Sequence, residues 1–203
     1  MRTLLSLLLM LSAPLTFAQE SAPDALVKSI TQDVISIVKQ DKGIQSGDPI
    51  KISSLVESKI VPYFDFARMT QLAMAVNWRG ATPEQQKQLV REFKHLLVRT
   101  YSNALSRYRD QVIDFKPSRT GRQDTEVTVR CEIKQRGAQP VALDYDMEKT
   151  PAGWKVYNVK VDSVSLVTTY REDFAGQVRA GGIDGLIKSL SAKNRQLDAK
   201  PRV

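Results

Sequence analysis

GWKVYNVKVDSVSLVTTYREDF, residues 153–174, carries an aromatic-rich strand straight into a helix. A half-buried strand shows one dry face through alternate side chains. Trp154 and Val156 supply that face first, and after a change of phase Tyr157, Val159 and Val161 take it over. Such a change of phase marks a β-bulge, a device that re-aims side chains beside sites. No catalytic dyad or metal pair lies within the stretch.

Upstream of Trp154 the period is two. Val127, Val129, Cys131 and Ile133 alternate with Thr128, Arg130, Glu132 and Lys134. After a turn at Gly137, Val141, Leu143, Tyr145 and Met147 repeat the arrangement, with Asp144, Asp146 and Glu148 on the wet face. This alternation belongs to antiparallel strands with one face buried. With a weaker strand over 111–116, it predicts a four-stranded antiparallel meander.

Helical spacing precedes and follows the sheet. Leu26, Val27, Ile30, Val34, Ile37 and Val38 place one apolar face on a helix over 24–40, which Gly43, Gly47 and Pro49 stop. Shorter helices are expected over 50–60 and 64–76. The next, over 83–108, starts with Thr82 as cap, Pro83 at the first position and Gln85 completing a capping box. At 1.5 Å per residue it would run on the order of 39 Å, long enough to floor a cavity. Two short helices, 168–180 and 183–192, close the chain. The fold class is α+β, a four-stranded antiparallel sheet with several helices packed on one concave face.

At the front, Met1, Arg2 and Thr3 lead an apolar run from Leu4 to Leu11, and Thr16-Phe17-Ala18 fits a cleavage site. Residues 1–18 therefore read as a secretory signal peptide, too short for a membrane span. Gln19 rather than Cys follows the cut, so no lipoprotein anchor is expected and the mature chain should be free and soluble. One domain is expected over 19–194, with a flexible tail over 195–203. The lone cysteine, Cys131, allows no internal disulfide, so ordinary packing must carry the fold.

The chain holds 30 Lys plus Arg against 22 Asp plus Glu. Loss of residues 1–18 removes only Arg2 from that count, so the exported chain stays basic. Export disfavours nucleic acid as partner and leaves anionic lipid surfaces or acidic proteins; spread along the chain, the same charges also suit a solvated surface.

Enzyme chemistry finds little support. His95 is the single histidine, set among Phe93, Leu96 and Leu97. HExxH, CxxC and GxSxG are all absent, which argues against a metal site, a cofactor or an acyl-transfer centre. Asp144, Asp146 and Glu148 are read as strand surface, and Gly181, Gly182 and Gly185 as a turn between helices. The remaining signal is aromatic and methionine side chains, which by themselves suit a plain core as well as a pocket.

Two blocks decide more. Residues 63–105, YFDFARMTQLAMAVNWRGATPEQQKQLVREFKHLLVRTYSNAL, and residues 154–190 carry YFDF, W-x-x-AT-x-x-Q, WKVY, VSLV-x-x-YR and G-x-x-GLI-x-x-L. In these the chain resembles the MlaC family of periplasmic phospholipid-binding proteins, also called the toluene-tolerance auxiliary component. It departs from the family at Val76-Asn77, which replace Leu-Gly, at Asn158, where Asp is common, and at Asp162-Ser163, which replace Glu-Gly.

The resemblance implies a soluble, monomeric shuttle that maintains outer-membrane lipid asymmetry. Its partners would be an outer-membrane lipoprotein complex and an inner-membrane ABC transporter with an MCE-domain subunit. A buried methylene is worth about 0.8 kcal/mol, so baring the roughly 30 methylenes of a diacyl lipid costs more than about 20 kcal/mol. A carrier must cover both tails, whereas the head group can stay wet.

The expected site is then an apolar cavity enclosed between the long helix and the sheet. Its expected lining is Phe93, Leu97, Tyr101, Val129, Val141, Leu143, Tyr145, Val156, Val161, Val164 and Leu166, with Tyr170 near the mouth. Arg171 would meet a phosphate or a partner protein, or else form a surface ion pair. The alternative is an envelope adaptor that docks another periplasmic or membrane protein.

Overall fold

The computed structural model describes residues 22–117, 121 and 123–199; the expected signal peptide, residues 1–18, and residues 200–203 lie outside that range. Its sheet is an antiparallel meander in the order β1 (Val112–Phe115), β2 (Glu126–Lys134), β3 (Val141–Thr150), β4 (Gly153–Val161) and β5 (Val164–Ser165). The sheet thus has five strands, not the four predicted. The extra strand is two residues long and follows a two-residue turn in which Asp162 and Ser163 both take positive φ, 47° and 70°. Such turns are ordinarily announced by Asn-Gly or Asp-Gly, and this one contains no glycine.

β4 carries the bulge. Asp146 pairs with Asn158 but Met147 pairs with Val156, which leaves Tyr157 over. Val159 and Val161 therefore return to the face of Trp154 and Val156. Tyr157, expected on that dry face, turns to the other side instead. There its ring lies 3.8 Å from the Arg68 guanidinium and its hydroxyl 3.4 Å from Glu126. The bulge supplies one extra residue, and that residue cannot share the pleat of its neighbours. The free edge of β4 is covered by the segment ahead of α4, where Phe64 bridges Val156 and the Asp65 N–H donates to the Val156 carbonyl at 2.8 Å.

The wet face of β3 also needs correction, because Asp146 is buried. It accepts hydrogen bonds from Thr128 at 2.8 Å, Asn158 at 2.9 Å and Lys160 at 3.0 Å. Burial works against its charge, yet the bonds from Lys160, Thr128 and Asn158 hold the carboxyl below its usual range. Cys131 points inward as predicted, and burial pushes its thiol up to about 11.

The helices are α1 (Pro23–Gln40), α2 (Lys42–Gln45), α3 (Pro49–Lys59), α4 (Phe66–Met74), α5 (Pro83–Tyr101) and α6 (Arg171–Ala199). Asp41, Asp48 and Asp65 cap α2, α3 and α4 with their carboxylates, each accepting from backbone N–H groups of the first turn. The capping box of Thr82 and Gln85 starts α5 as predicted. α5 does not reach residue 108, however; it ends at Tyr101 and tightens to a 3-10 turn over Ser102–Arg107. Serine and asparagine hydrogen-bond the backbone locally and weaken an α-helix, as Ser106 does here by donating to the Asn103 carbonyl at 2.8 Å.

α6 holds a break at Gly182, where φ is 67° and ψ is −174°. The helix runs on to Ala199, so residues 195–199, expected to be a loose tail, are helical. Asp198 lies 3.1 Å from His95 Nε2 and 2.8 Å from Arg99 Nε, which ties that last turn to α5.

The interior forms three apolar clusters rather than one. Met69, Leu89, Phe93, Phe174 and Leu186 bring α4, α5 and α6 together. Val27 of α1 joins Val129, Met147, Trp154 and Val156 of the sheet. Val34, Val38, Ile44, Ile52 and Leu55 join α1, α2 and α3.

Candidate functional site

Where the three clusters fail to meet there is a pocket of about 460 Å³. Its floor is a ladder of cross-strand pairs. Ile133 faces Val141, Leu143 faces Val161, and Tyr145 faces Val159, all six on the helix side of the sheet. The two-residue period of β3 fixes Val141, Leu143 and Tyr145 on this side, and the bulge brings Val159 and Val161 into step with them.

The roof is the end of α5 and the turn after it. Leu97 and Tyr101 are one helical turn apart, and Val98, Ser102 and Leu105 continue the surface. Val56, Ile60, Val61, Phe64, Phe66 and Met69 make the remaining wall, and Leu166 closes the end beside β5.

Among the lining side chains only Tyr101, Ser102 and Tyr145 carry a polar atom. Burial pushes the Tyr145 phenol far above its ordinary range, so it stays neutral. Groups of three or more metal-ligating side chains do not occur among the described residues. The lining is apolar and can cover hydrocarbon.

The chain matches the MlaC protein family over residues 28–192. It belongs to the MlaC family. Two relatives in that family are the toluene tolerance protein ttg2D of Pseudomonas putida and the intermembrane phospholipid transport system binding protein MlaC of Haemophilus influenzae. The first is 24% identical over 96% of this chain and 94% of its own length, the second 22% over 89% and 86%. A solved structure of the phospholipid-binding protein from Ralstonia solanacearum, in complex with a phospholipid, is 43% identical. It superposes with a TM-score of 0.81 over 88% of this chain and 99% of the other.

In this MlaC-family chain seven of the expected lining residues come together around the pocket: Leu97, Tyr101, Val141, Leu143, Tyr145, Val161 and Leu166. Phe93 and Tyr170 lie elsewhere, in an aromatic cluster with Phe174. Phe93 meets each of the other two edge-on at 5.1 Å. Burial pushes the Tyr170 phenol up to about 12, and its hydroxyl meets Tyr101 and Thr100. Tyr170 thus braces a lining residue from behind.

Val129 and Val156 are packed into the cluster under α1. Val164 stands 56% exposed beyond the β4–β5 turn. Arg171 donates from Nε to the Leu72 carbonyl at 2.7 Å, an exposed tie between the start of α6 and the end of α4.

The wall from Val56 to Met69 went unassigned in the sequence. Its signal was present, since Phe64 and Phe66 belong to the YFDF motif and Ile60 and Val61 directly precede the break at Pro62. What turns that segment towards the sheet is its pairing with β4, through the bridge from Phe64 to Val156 and the Lys155 bond to the Pro62 carbonyl at 2.6 Å.

Proposed function

We propose that this chain is a soluble periplasmic carrier that covers the acyl chains of a glycerophospholipid in the pocket between α5 and the sheet. The observation that carries the reading is the unbroken apolar ladder from Ile133 to Val159 facing Leu97 and Tyr101 across a space of about 460 Å³. If a methylene takes about the 30 Å³ that a water molecule occupies in the liquid, that space suits on the order of fifteen methylenes, about one acyl chain. A second chain calls for the wall of α3 to move outward. The phospholipid held by the Ralstonia solanacearum protein and the transport role named for the Haemophilus influenzae relative support the same ligand class.

Among the described residues no helix is long and apolar enough to cross a membrane, which suits a carrier that leaves one membrane for another. The route proposed is between an outer-membrane lipoprotein complex and an inner-membrane ABC transporter with an MCE-domain subunit. The role proposed is binding; His95, the single histidine, lies on the α5–α6 seam beside Asp198 and is not among the residues that line the pocket.

Organic extraction of the purified mature protein, followed by mass spectrometry, should release glycerophospholipid. Leu143→Glu sets a carboxylate on the pocket floor and should abolish the cargo while the far-ultraviolet circular dichroism stays that of the parent. Well-folded parent protein that carries no lipid and refuses added phospholipid would overturn the reading and leave the envelope adaptor in its place.

A further inference from the structure

A second pocket, of about 380 Å³, adjoins the first, and Tyr101, Ala104 and Ile133 line both. It is the more polar of the two: Thr100, Asn103, Arg107, Tyr108 and Gln111 set polar groups around a surface that Ile113, Ile133 and Ala104 keep largely apolar. The tight winding after α5 produces this change. A 3-10 turn repeats every three residues, so Tyr101, Ala104 and Arg107 fall in one row. That row begins at the apolar pocket and ends on a charge.

The charge is available. Arg107 is exposed, and among the described residues its guanidinium has no hydrogen-bond or ion-pair partner. Its neighbours are already engaged. Tyr108 donates to the Gln111 carbonyl at 3.0 Å, and Arg109 donates to the Ser106 and Tyr108 carbonyls at 2.7 Å each. Lys39 adds a second cation 5.8 Å from the Tyr108 ring. Of the carboxylates nearby in the chain, Asp114 is held by Lys116 and Lys134, while Asp110 makes no ion pair among the described residues.

We propose that the second pocket receives the phosphodiester of the lipid whose chains occupy the first, with Arg107 as its charged contact and Asn103 beside it. This rests on the carrier reading above. A guanidinium presents paired N–H donors that match two phosphate oxygens, and a pocket open to water lets the rest of the head group remain solvated. Affinity for the phosphate would then also fix the depth to which the chains enter.

The test titrates delipidated mature protein with two fluorescent probes that share the same acyl chains, a phosphatidylglycerol and an uncharged diacylglycerol. Arg107→Gln should weaken phosphatidylglycerol about tenfold and change diacylglycerol by less than about twofold. Because the side chain is exposed and unpartnered, the variant should fold as the parent does; Asn103→Ala provides an independent variant with a smaller loss in the same direction.

Equal loss for both probes, or none for phosphatidylglycerol, overturns the head-group assignment while the carrier reading stands. Parent protein that binds neither probe defeats the carrier reading itself. Inorganic phosphate titrated by calorimetry should give no saturable heat. Saturable phosphate binding that Arg107→Gln removes, with phosphatidylglycerol affinity unchanged, would assign the pocket to free anions and overturn the proposal.

Discussion

Ser163 holds a backbone angle that a side chain resists, with φ at 70°. Its neighbour Asp162, at 47°, is anchored by exchanging two hydrogen bonds of 2.9 Å with the backbone of Ala142, one through its N–H and one through its carboxylate. The left-handed region costs a residue with a Cβ about 1 kcal/mol, and the family pattern has glycine at this place. Ser163→Gly is expected to stabilise the protein by up to about 1 kcal/mol, read as a rise in the urea midpoint at unchanged slope. Asn158, another departure from the family pattern, has a reason in its setting. It donates to Asp146 and accepts from Ser165 at 2.7 Å, while Ser165 in turn caps the turn at Val167 and Thr168. An aspartate there would set two buried carboxylates side by side, whereas the amide satisfies both neighbours at once.

Among the elements, α5 and α6 show how far local rules reach. The start of α5 was legible because a capping box is a short-range device, complete within Thr82 to Gln85. Its end was not, because Ala104, Leu105 and Tyr108 keep an apolar spacing through the change from α to 3-10 winding. That change shortens the α-helix to roughly 28 Å and delivers Arg107 to the second pocket. In α6 the paired glycines marked a break, and Gly182 takes angles that glycine alone adopts readily. A Cβ at Gly182 would meet no atom within 4 Å, so the obstacle to substitution is backbone strain and not space. Gly182→Ala is expected to destabilise the fold by about 1–3 kcal/mol, measured by equilibrium denaturation. A neutral result would mean that α6 can straighten without loss.

At the scale of the whole molecule, the pocket exists because the core is divided. α1, α2 and α3 pack on one another through Val38, Ile44 and Ile52, while α4, α5 and α6 do so through Met69, Phe93 and Phe174. Neither group fills the space above β3. The wall from α3 rests on its own cluster, with Val98, Leu105 and Tyr108 packed against it, and is expected to shift as chains enter. Amide exchange across residues 49–63 is expected to slow when phospholipid is loaded, while exchange in β3 changes less; unaltered exchange in the α3 wall would count against its role in accommodating cargo. The sequence by itself determined the period-two strands, the capping box of α5, the bulge in β4 and the family pattern, since each depends on residues close together along the chain. It also placed Leu97, Leu143, Tyr145 and Val161 on inward faces. The tertiary structure decided which inward side chains meet neighbours and which meet a gap. Phe93, Val129 and Val156 are as apolar as Leu143, and only the separation of the layers above each one makes it core or pocket wall.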